Sequence, residues 1–90
     1  MTEHTVKAVA FFEARPAALF VQTAGKYLSR VLIKVGEKTA NAKSIMGVIA
    51  LGIENGQSVT IIADGEDEQQ AIPALAQFFN AGGEGSDSAY

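Results

Sequence analysis

Two segments carry apolar residues along one helical side only, and this one-sidedness constrains the fold more than any other feature. In the first, which starts near Ala14, the residues at helical spacing are Ala17, Phe20, Val21, Ala24 and Leu28. Pro16 fits only the first turn, where its missing N–H has no intrahelical partner to lose. We expect Gly25 to weaken this helix without ending it. The second stripe comprises Ala71, Ile72, Leu75, Phe78 and Phe79. Each stripe must be buried against one other layer.

Four short segments have the composition or alternation of β-strands: residues 5–10, 30–35, 37–41 and 58–64. Gly36 separates the second from the third and predicts a tight turn between them. The segment 37–41 is polar, which is typical of a strand at the edge of a sheet.

Residues 44–51 (SIMGVIAL) predict a short helix that is capped by Ser44 and ends at Gly52. At the start of the last helix, Asp67 and Gln70 resemble a capping box. Pro73 conflicts with such an early start, because an interior proline costs about 3 kcal/mol. We therefore expect either a kink or a regular part that begins near Ile72.

The element order is β, α, β, β, α, β, α, which predicts an α+β fold. It is an open-faced sandwich in which helices cover one face of a four-stranded antiparallel sheet. The 90 residues, 48% of them hydrophobic, suffice for one domain with one core. We expect this domain to span residues 1–81. Residues 82–90 lack apolar periodicity, which predicts a flexible tail.

Composition and motifs argue against several classes of function. Seven Lys and Arg against ten Asp and Glu give a net charge of −3, which disfavours direct nucleic-acid or anionic-membrane binding. Cysteine is absent, and the one histidine, His4, has no clustered partners for a metal site or a nucleophile. There is no glycine-rich phosphate loop of the Walker or dinucleotide type. The sequence therefore predicts a non-enzymatic protein without metal or cofactor, and the absence of a targeting or membrane segment favours the cytoplasm.

The short helix SIMGVIAL is apolar almost all round, although a helix on a single sheet buries only one side. Some of Ile45, Met46 and Ile49 should therefore be exposed. The alternative is an ordinary core helix with a few scattered surface aliphatics. A partner-binding patch is the interpretation we favour, since a flexible Met beside branched aliphatics suits a contact surface.

Ser44 has a structural and a functional interpretation. As a plain N-cap it contributes about 1 kcal/mol. If it is phosphorylated, about −1.5 to −2 charges would stand at the positive end of the helix, which is electrostatically favourable. Such a modification would create a binding epitope without unfolding the domain.

Three segments together resemble the HPr family, the phosphocarriers of the bacterial sugar phosphotransferase system: residues 13–22 (EARPAALFVQ), 41–47 (NAKSIMG) and 65–68 (GEDE). The resemblance extends over about residues 5–80 and implies the open-faced sandwich. The family motif is His-Ala-Arg-Pro, and Glu13 stands at the histidine position. Phe11 and Phe12 stand where glycine and leucine are expected.

This substitution decides which of the family's activities we expect. Phosphocarriage needs a neutral imidazole nitrogen that attacks the phosphoryl donor, and a carboxylate offers no such nitrogen. The simple interpretation of Glu13 is an acid near a helix N-terminus, stabilised by about 0.3 to 1 kcal/mol. A sharper hypothesis is that Glu13 permanently mimics the charge of phosphohistidine.

The resemblance implies that Ser44 is the regulatory serine phosphorylated by HPr kinase/phosphorylase. It also implies that Ile45, Met46 and Ile49 make the apolar part of the partner contact and Arg15 the basic part. Members that lack the histidine but keep this serine are similar to Crh, the catabolite-repression HPr. Crh is a corepressor for catabolite control protein A, a regulator of the LacI type. Crh usually has glutamine where this chain has Glu13.

The sequence thus predicts a regulatory protein of carbon catabolite repression that is phosphorylated on Ser44. One alternative is a variant phosphocarrier in which Glu13 accepts phosphate as an acyl phosphate or another residue substitutes. Another is an adaptor that docks on metabolic enzymes without phosphorylation.

Overall fold

The fold comes from a computed structural model that describes residues 1–8, 14–54 and 56–80, with the side chains of residues 14–16 and 80 left aside. Glu13 and the predicted tail, residues 82–90, lie outside the described residues. The elements are β1 (Thr2–Lys7), α1 (Ala14–Ala24), β2 (Arg30–Val35), β3 (Lys38–Asn41), α2 (Ile45–Ala50), β4 (Ser58–Asp64) and α3 (Glu68–Asn80). This order confirms the predicted βαββαβα arrangement. None of the described helices has the length and apolar character needed to span a membrane.

The four strands form one antiparallel sheet in the order β1-β4-β2-β3, so the polar strand β3 lies at an edge as predicted. Alternate side chains of the central strands point to the helices and are buried: Val31, Ile33, Val35, Val59, Ile61 and Ala63. The residues between them stay exposed or half-buried. The predicted open-faced sandwich is therefore confirmed. Its core continues between α1 and α3, where the ring of Phe20 meets Phe78 and Phe79 edge-on at centroid distances of 5.6 and 5.5 Å.

Strand β1 begins earlier than predicted. The sequence predicted residues 5–10, whereas β1 pairs with β4 from Thr2 opposite Ala63 to Lys7 opposite Ser58. The first residues of the strand show little alternation of apolar and polar side chains, because β1 is an edge strand in which only Val6 is buried. Two of the predicted strand residues, Val9 and Ala10, lie outside the described residues.

Helix α1 ends at Ala24, so the predicted continuation through Gly25 to Leu28 is wrong. The chain unwinds through short turns in which the N–H of Lys26 bonds to the carbonyl of Thr23 and that of Tyr27 to Ala24. Leu28 is consequently 82% exposed instead of buried on the apolar stripe. We call residues 25–29 the α1–β2 connection.

The predicted capping box at Asp67 and Gln70 is replaced by a longer-range contact. The Asp67 carboxylate accepts hydrogen bonds from the N–H of Leu28 at 2.8 Å and from both the N–H and the hydroxyl of Ser29. These bonds, that of the Ser29 hydroxyl foremost, lower the pKa of Asp67. The Asp67 side chain, which the sequence predicted to cap its own helix, thus binds the α1–β2 connection instead.

Helix α3 begins at Glu68, four residues before the start near Ile72 that Pro73 suggested. Pro73 lies inside the helix but close to its N-terminus, and its ring is exposed. Pro73 deprives one carbonyl of its helical donor, that of Gln69 in the first turn, and Gln69 is solvent-exposed. Water can satisfy this carbonyl, which explains why the helix tolerates the proline.

The Glu68 side chain joins the start of α3 to β1. It accepts hydrogen bonds from the Thr2 hydroxyl and from the N–H of Gly65, the latter at 3.0 Å. The amide of Gln69 donates to the same Thr2 hydroxyl at 3.0 Å. The Thr2 hydroxyl foremost, then the Gly65 N–H and the N-terminal ammonium group of Met1, which lies 3.2 Å from the Glu68 carboxylate, lower the pKa of Glu68 to about 2.

We predict that Glu68→Gln lowers the melting temperature at pH 7 and that the difference from the wild type shrinks in acid. The folded-state pKa of about 2 lies below the ordinary value of 4.5, so the stabilisation is complete above pH 4.5 and is lost as the pH falls through about 2. Thermal unfolding between pH 2 and pH 7 measures this difference. Glu66→Gln removes an exposed carboxylate from the same turn and should shift the melting temperature far less. A Glu68→Gln effect that is independent of pH would contradict the assignment.

Candidate functional site

Ser44 caps α2, as the sequence predicted. The residue has an extended backbone (φ −111°, ψ 113°), and its Oγ accepts a hydrogen bond from the N–H of Gly47 at 3.2 Å. The helix then runs for six residues, Ile45–Ala50, and Leu51 is its C-cap, followed by Gly52 with φ 62°. A positive φ of this size is accessible to glycine at little cost, which favours the stop at this position.

Helix α2 is attached to the core by one side only. Val48 and Leu51 are buried, and Ile45 is partly buried against the core. Met46 is 75% exposed and Ile49 is 42% exposed. The prediction that some of these three aliphatics face solvent is therefore confirmed for Met46 and Ile49. Ile45 is only partly exposed, because part of its side chain packs against the core.

Leu19 adds an exposed aliphatic that sequence reasoning missed. It lies on α1, the helix that contacts α2, and half of its surface is accessible. The signal was present in the sequence, since Leu19 falls outside the buried stripe of Ala17, Phe20 and Ala24. The two contacting helices thus both present apolar side chains to solvent.

An open groove of about 460 Å³ runs between β3 and α2. Ser44 and Gly47 line it on the helix side, and Lys38, Thr39 and Asn41 line it on the strand side. Ser44 itself is exposed, so its hydroxyl is accessible to a modifying enzyme. The positively charged Lys38 lines the same groove as the Ser44 hydroxyl.

The turn before Ser44 is held by its own polar groups. Asn41 accepts the N–H of Lys43 on its side-chain oxygen at 2.8 Å and the N–H of Ser44 on its carbonyl at 3.0 Å. The ammonium group of Lys43 donates to the carbonyl of Tyr27 in the α1–β2 connection at 2.8 Å. Sequence reasoning missed both roles. The role of Asn41 could have been predicted, because an Asn side chain often accepts the backbone N–H two residues later in a turn.

The remaining predicted site residues are less fully described. The backbone of Arg15 forms part of the first turn of α1, but its side chain, like all of Glu13, is outside the described part. His4 is exposed on the edge strand β1, opposite Ile61. Within residues 1–8, 14–54 and 56–80, no three His, Asp or Glu side chains lie close enough together to hold a metal ion.

Comparison with known proteins assigns this chain to a family. The profile described as "PTS HPr component phosphorylation site" matches residues 2–81. The chain belongs to the HPr family. HPr and Crh proteins are phosphocarrier and regulatory proteins and not enzymes, so this HPr-family chain is not an enzyme either.

The sequence relatives point to the Crh-like part of the HPr family. The chain is 48% identical over 73 residues to the HPr-like protein Crh of Halalkalibacterium halodurans, which covers 81% of this chain and 87% of the relative. It is 52% identical over 66 residues to Crh of Bacillus subtilis, covering 73% and 78%. Among solved structures, HPr-C-His from Thermoanaerobacter tengcongensis superposes with a TM-score of 0.86 at 41% identity, covering 98% of this chain and all of the other. The protein is thus a Crh-like HPr-family member of the regulatory kind.

We predict that Ser44→Ala lowers the free energy of unfolding by about 1 kcal/mol, because the Gly47 N–H loses its cap. Met46→Gln should change it by no more than about 0.5 kcal/mol, since the Met46 side chain is largely in solvent. Urea titration of both variants measures these differences. A greater loss for Met46→Gln than for Ser44→Ala would show that the exposed side of α2 contributes to folding.

Proposed function

We propose that this protein is a cytoplasmic regulator of carbon catabolite repression. HPr kinase/phosphorylase phosphorylates Ser44, and the phosphorylated protein acts as corepressor of a LacI-type regulator such as catabolite control protein A. The observation that carries the proposal is the placement of an exposed hydroxyl at the cap of α2 beside the solvent-facing Met46 and Ile49. The similarity to two Crh proteins supports it.

The geometry suits phosphorylation without unfolding. In the proposed step the Ser44 Oγ takes the γ-phosphoryl group of ATP, the hydroxyl proton leaves, and ADP is released. The new charge of about −1.5 to −2 lies at the positive end of α2 and on a groove that Lys38 also lines. Since Val48 and Leu51 on the opposite side hold the helix in the core, we expect the fold to persist.

Recognition by the regulator would combine two kinds of contact. The phosphate would supply charge-assisted hydrogen bonds, and the aliphatic side chains of Ile45, Met46 and Ile49 would supply apolar area. Arg15 would provide the basic part of the contact, because its guanidinium remains charged and forms bidentate bonds to phosphate. Binding to DNA would belong to the regulator, in keeping with the net charge of −3.

Glu13 separates this proposal from phosphocarriage. A carboxylate at the histidine position has no imidazole nitrogen to accept and release a phosphoryl group. Transfer from enzyme I through this position should therefore be lost. Ser44 then remains as the residue whose phosphorylation would regulate the protein.

The first test is the reaction with HPr kinase/phosphorylase and ATP. We predict a mass increase of one phosphoryl group, located on Ser44 by peptide mass spectrometry. Ser44→Ala should remain unmodified while keeping its circular dichroism spectrum. A wild-type protein that gains no phosphate from the active kinase would contradict the proposed function.

Incubation with phosphoenolpyruvate and enzyme I tests the phosphocarrier alternative. We expect the wild type to remain unlabelled and Glu13→His to become labelled, which would show that the surrounding surface is still recognised. Efficient labelling of the wild type would favour the variant phosphocarrier and count against our proposal.

We further predict that Met46→Gln weakens binding of the Ser44-phosphorylated protein to the regulator by at least about tenfold. Burial of a methionine side chain contributes about 1.5–3 kcal/mol, and 1.4 kcal/mol corresponds to a factor of ten. Leu28→Gln is the matched control, because Leu28 is at least as accessible as Met46 but lies on the α1–β2 connection. Calorimetric titration measures both affinities. Equal losses for the two variants would refute a contact centred on α2.

A further inference from the structure

The α1–β2 connection is held at two points by side chains from two different elements. The Asp67 carboxylate binds the N–H groups of Leu28 and Ser29 at 2.8 and 2.9 Å. The Lys43 ammonium binds the carbonyl of Tyr27 at 2.8 Å. Asp67 stands at the start of α3, whereas Lys43 immediately precedes Ser44 in the chain. One of the two points is therefore held by the residue that directly precedes the proposed phosphorylation site.

The two points differ in how strongly they can hold the connection. Asp67 makes several charge-assisted bonds at once, including one to the Ser29 hydroxyl, and Ser29 is almost fully buried. Lys43 makes a single bond to a neutral carbonyl, on a side chain that is only half-buried. The Lys43 bond is thus the one that a competing anion could remove.

We propose that phosphorylation of Ser44 transfers the Lys43 ammonium from the Tyr27 carbonyl to the phosphate and thereby loosens the α1–β2 connection. This inference rests on the proposed phosphorylation of Ser44. A phosphate carries about −1.5 to −2 charges and three strong acceptor oxygens, whereas the carbonyl is a neutral acceptor. The flexible four-carbon stem of lysine allows the ammonium group to change partner without movement of the backbone.

The consequence would be a second altered surface away from α2. The loosened part carries Tyr27, which packs in part against the core and directly precedes the 82% exposed Leu28. Asp67 would keep the Leu28 and Ser29 amides in place, so the change would be confined to residues 25–27. A partner that contacts both α2 and this connection would then distinguish the two forms by more than the phosphate alone.

Hydrogen exchange tests the transfer without the kinase, if phosphoserine is incorporated at position 44 during translation. We expect exchange of the Lys26 and Tyr27 amides, which close the short turns of the connection, to rise about tenfold on phosphorylation. Lys43→Met should give the same rise without phosphate, and phosphate should add little more. Amides in the centre of β2 and β4 should stay unchanged.

Two further variants separate the transfer from a general effect of charge or stability. Lys43→Arg keeps a cationic donor and should restore the phosphate-dependent change. Lys38→Met removes a positive charge from the groove beside Ser44 but not from the connection, and it should leave the response intact. The midpoint of the phosphate titration, followed by ³¹P NMR, should rise in Lys43→Met relative to the unsubstituted phosphoprotein.

The inference is overturned if phosphoserine leaves exchange in residues 26–27 unchanged, or if Lys43→Met still responds to the phosphate as the wild type does. These outcomes are distinct from failure of the proposed function. A kinase that does not modify Ser44 would refute the latter alone, because the phosphoserine protein is made without it.

Discussion

The attachment of α2 by one side is the constraint on which the rest of the structure depends. A six-residue helix on a single sheet has room to bury only Val48, Leu51 and part of Ile45. Helix α1 and strand β3 provide the surface that receives them. The opposite side of α2 must therefore face solvent, with Met46 and Ile49 exposed and Ser44 accessible at the cap. An accessible hydroxyl and an exposed apolar surface thus arise together from this packing.

Polar side chains hold the parts of the fold that the core does not reach. Strand β1 buries only Val6, and the start of the strand is joined to α3 through Thr2 and Glu68. The α1–β2 connection is held by Asp67 on one side and Lys43 on the other. These contacts link segments far apart in sequence, so they stabilise the margins of a domain with a small core.

The sequence predicted the bounds of elements that bury one face in the core, but it did not predict the features that depend on long-range polar contacts. Strands β2 and β4 have the predicted bounds because alternate residues lie in the core. The cap at Ser44 and the exposure of Met46 followed from local chemistry and from the excess of apolar residues in a short helix. The role of Asp67 depends on contacts with residues 38 or more positions away, which no local pattern records.

The central claim is that the phosphorylation state of Ser44 determines partner choice. Its most direct test is a calorimetric comparison of the phosphorylated and unphosphorylated protein binding to catabolite control protein A from the same cell. The account predicts that the phosphorylated form binds at least about tenfold more tightly, which corresponds to about 1.4 kcal/mol. Equal affinities for the two forms would contradict it and favour an adaptor that acts without phosphorylation.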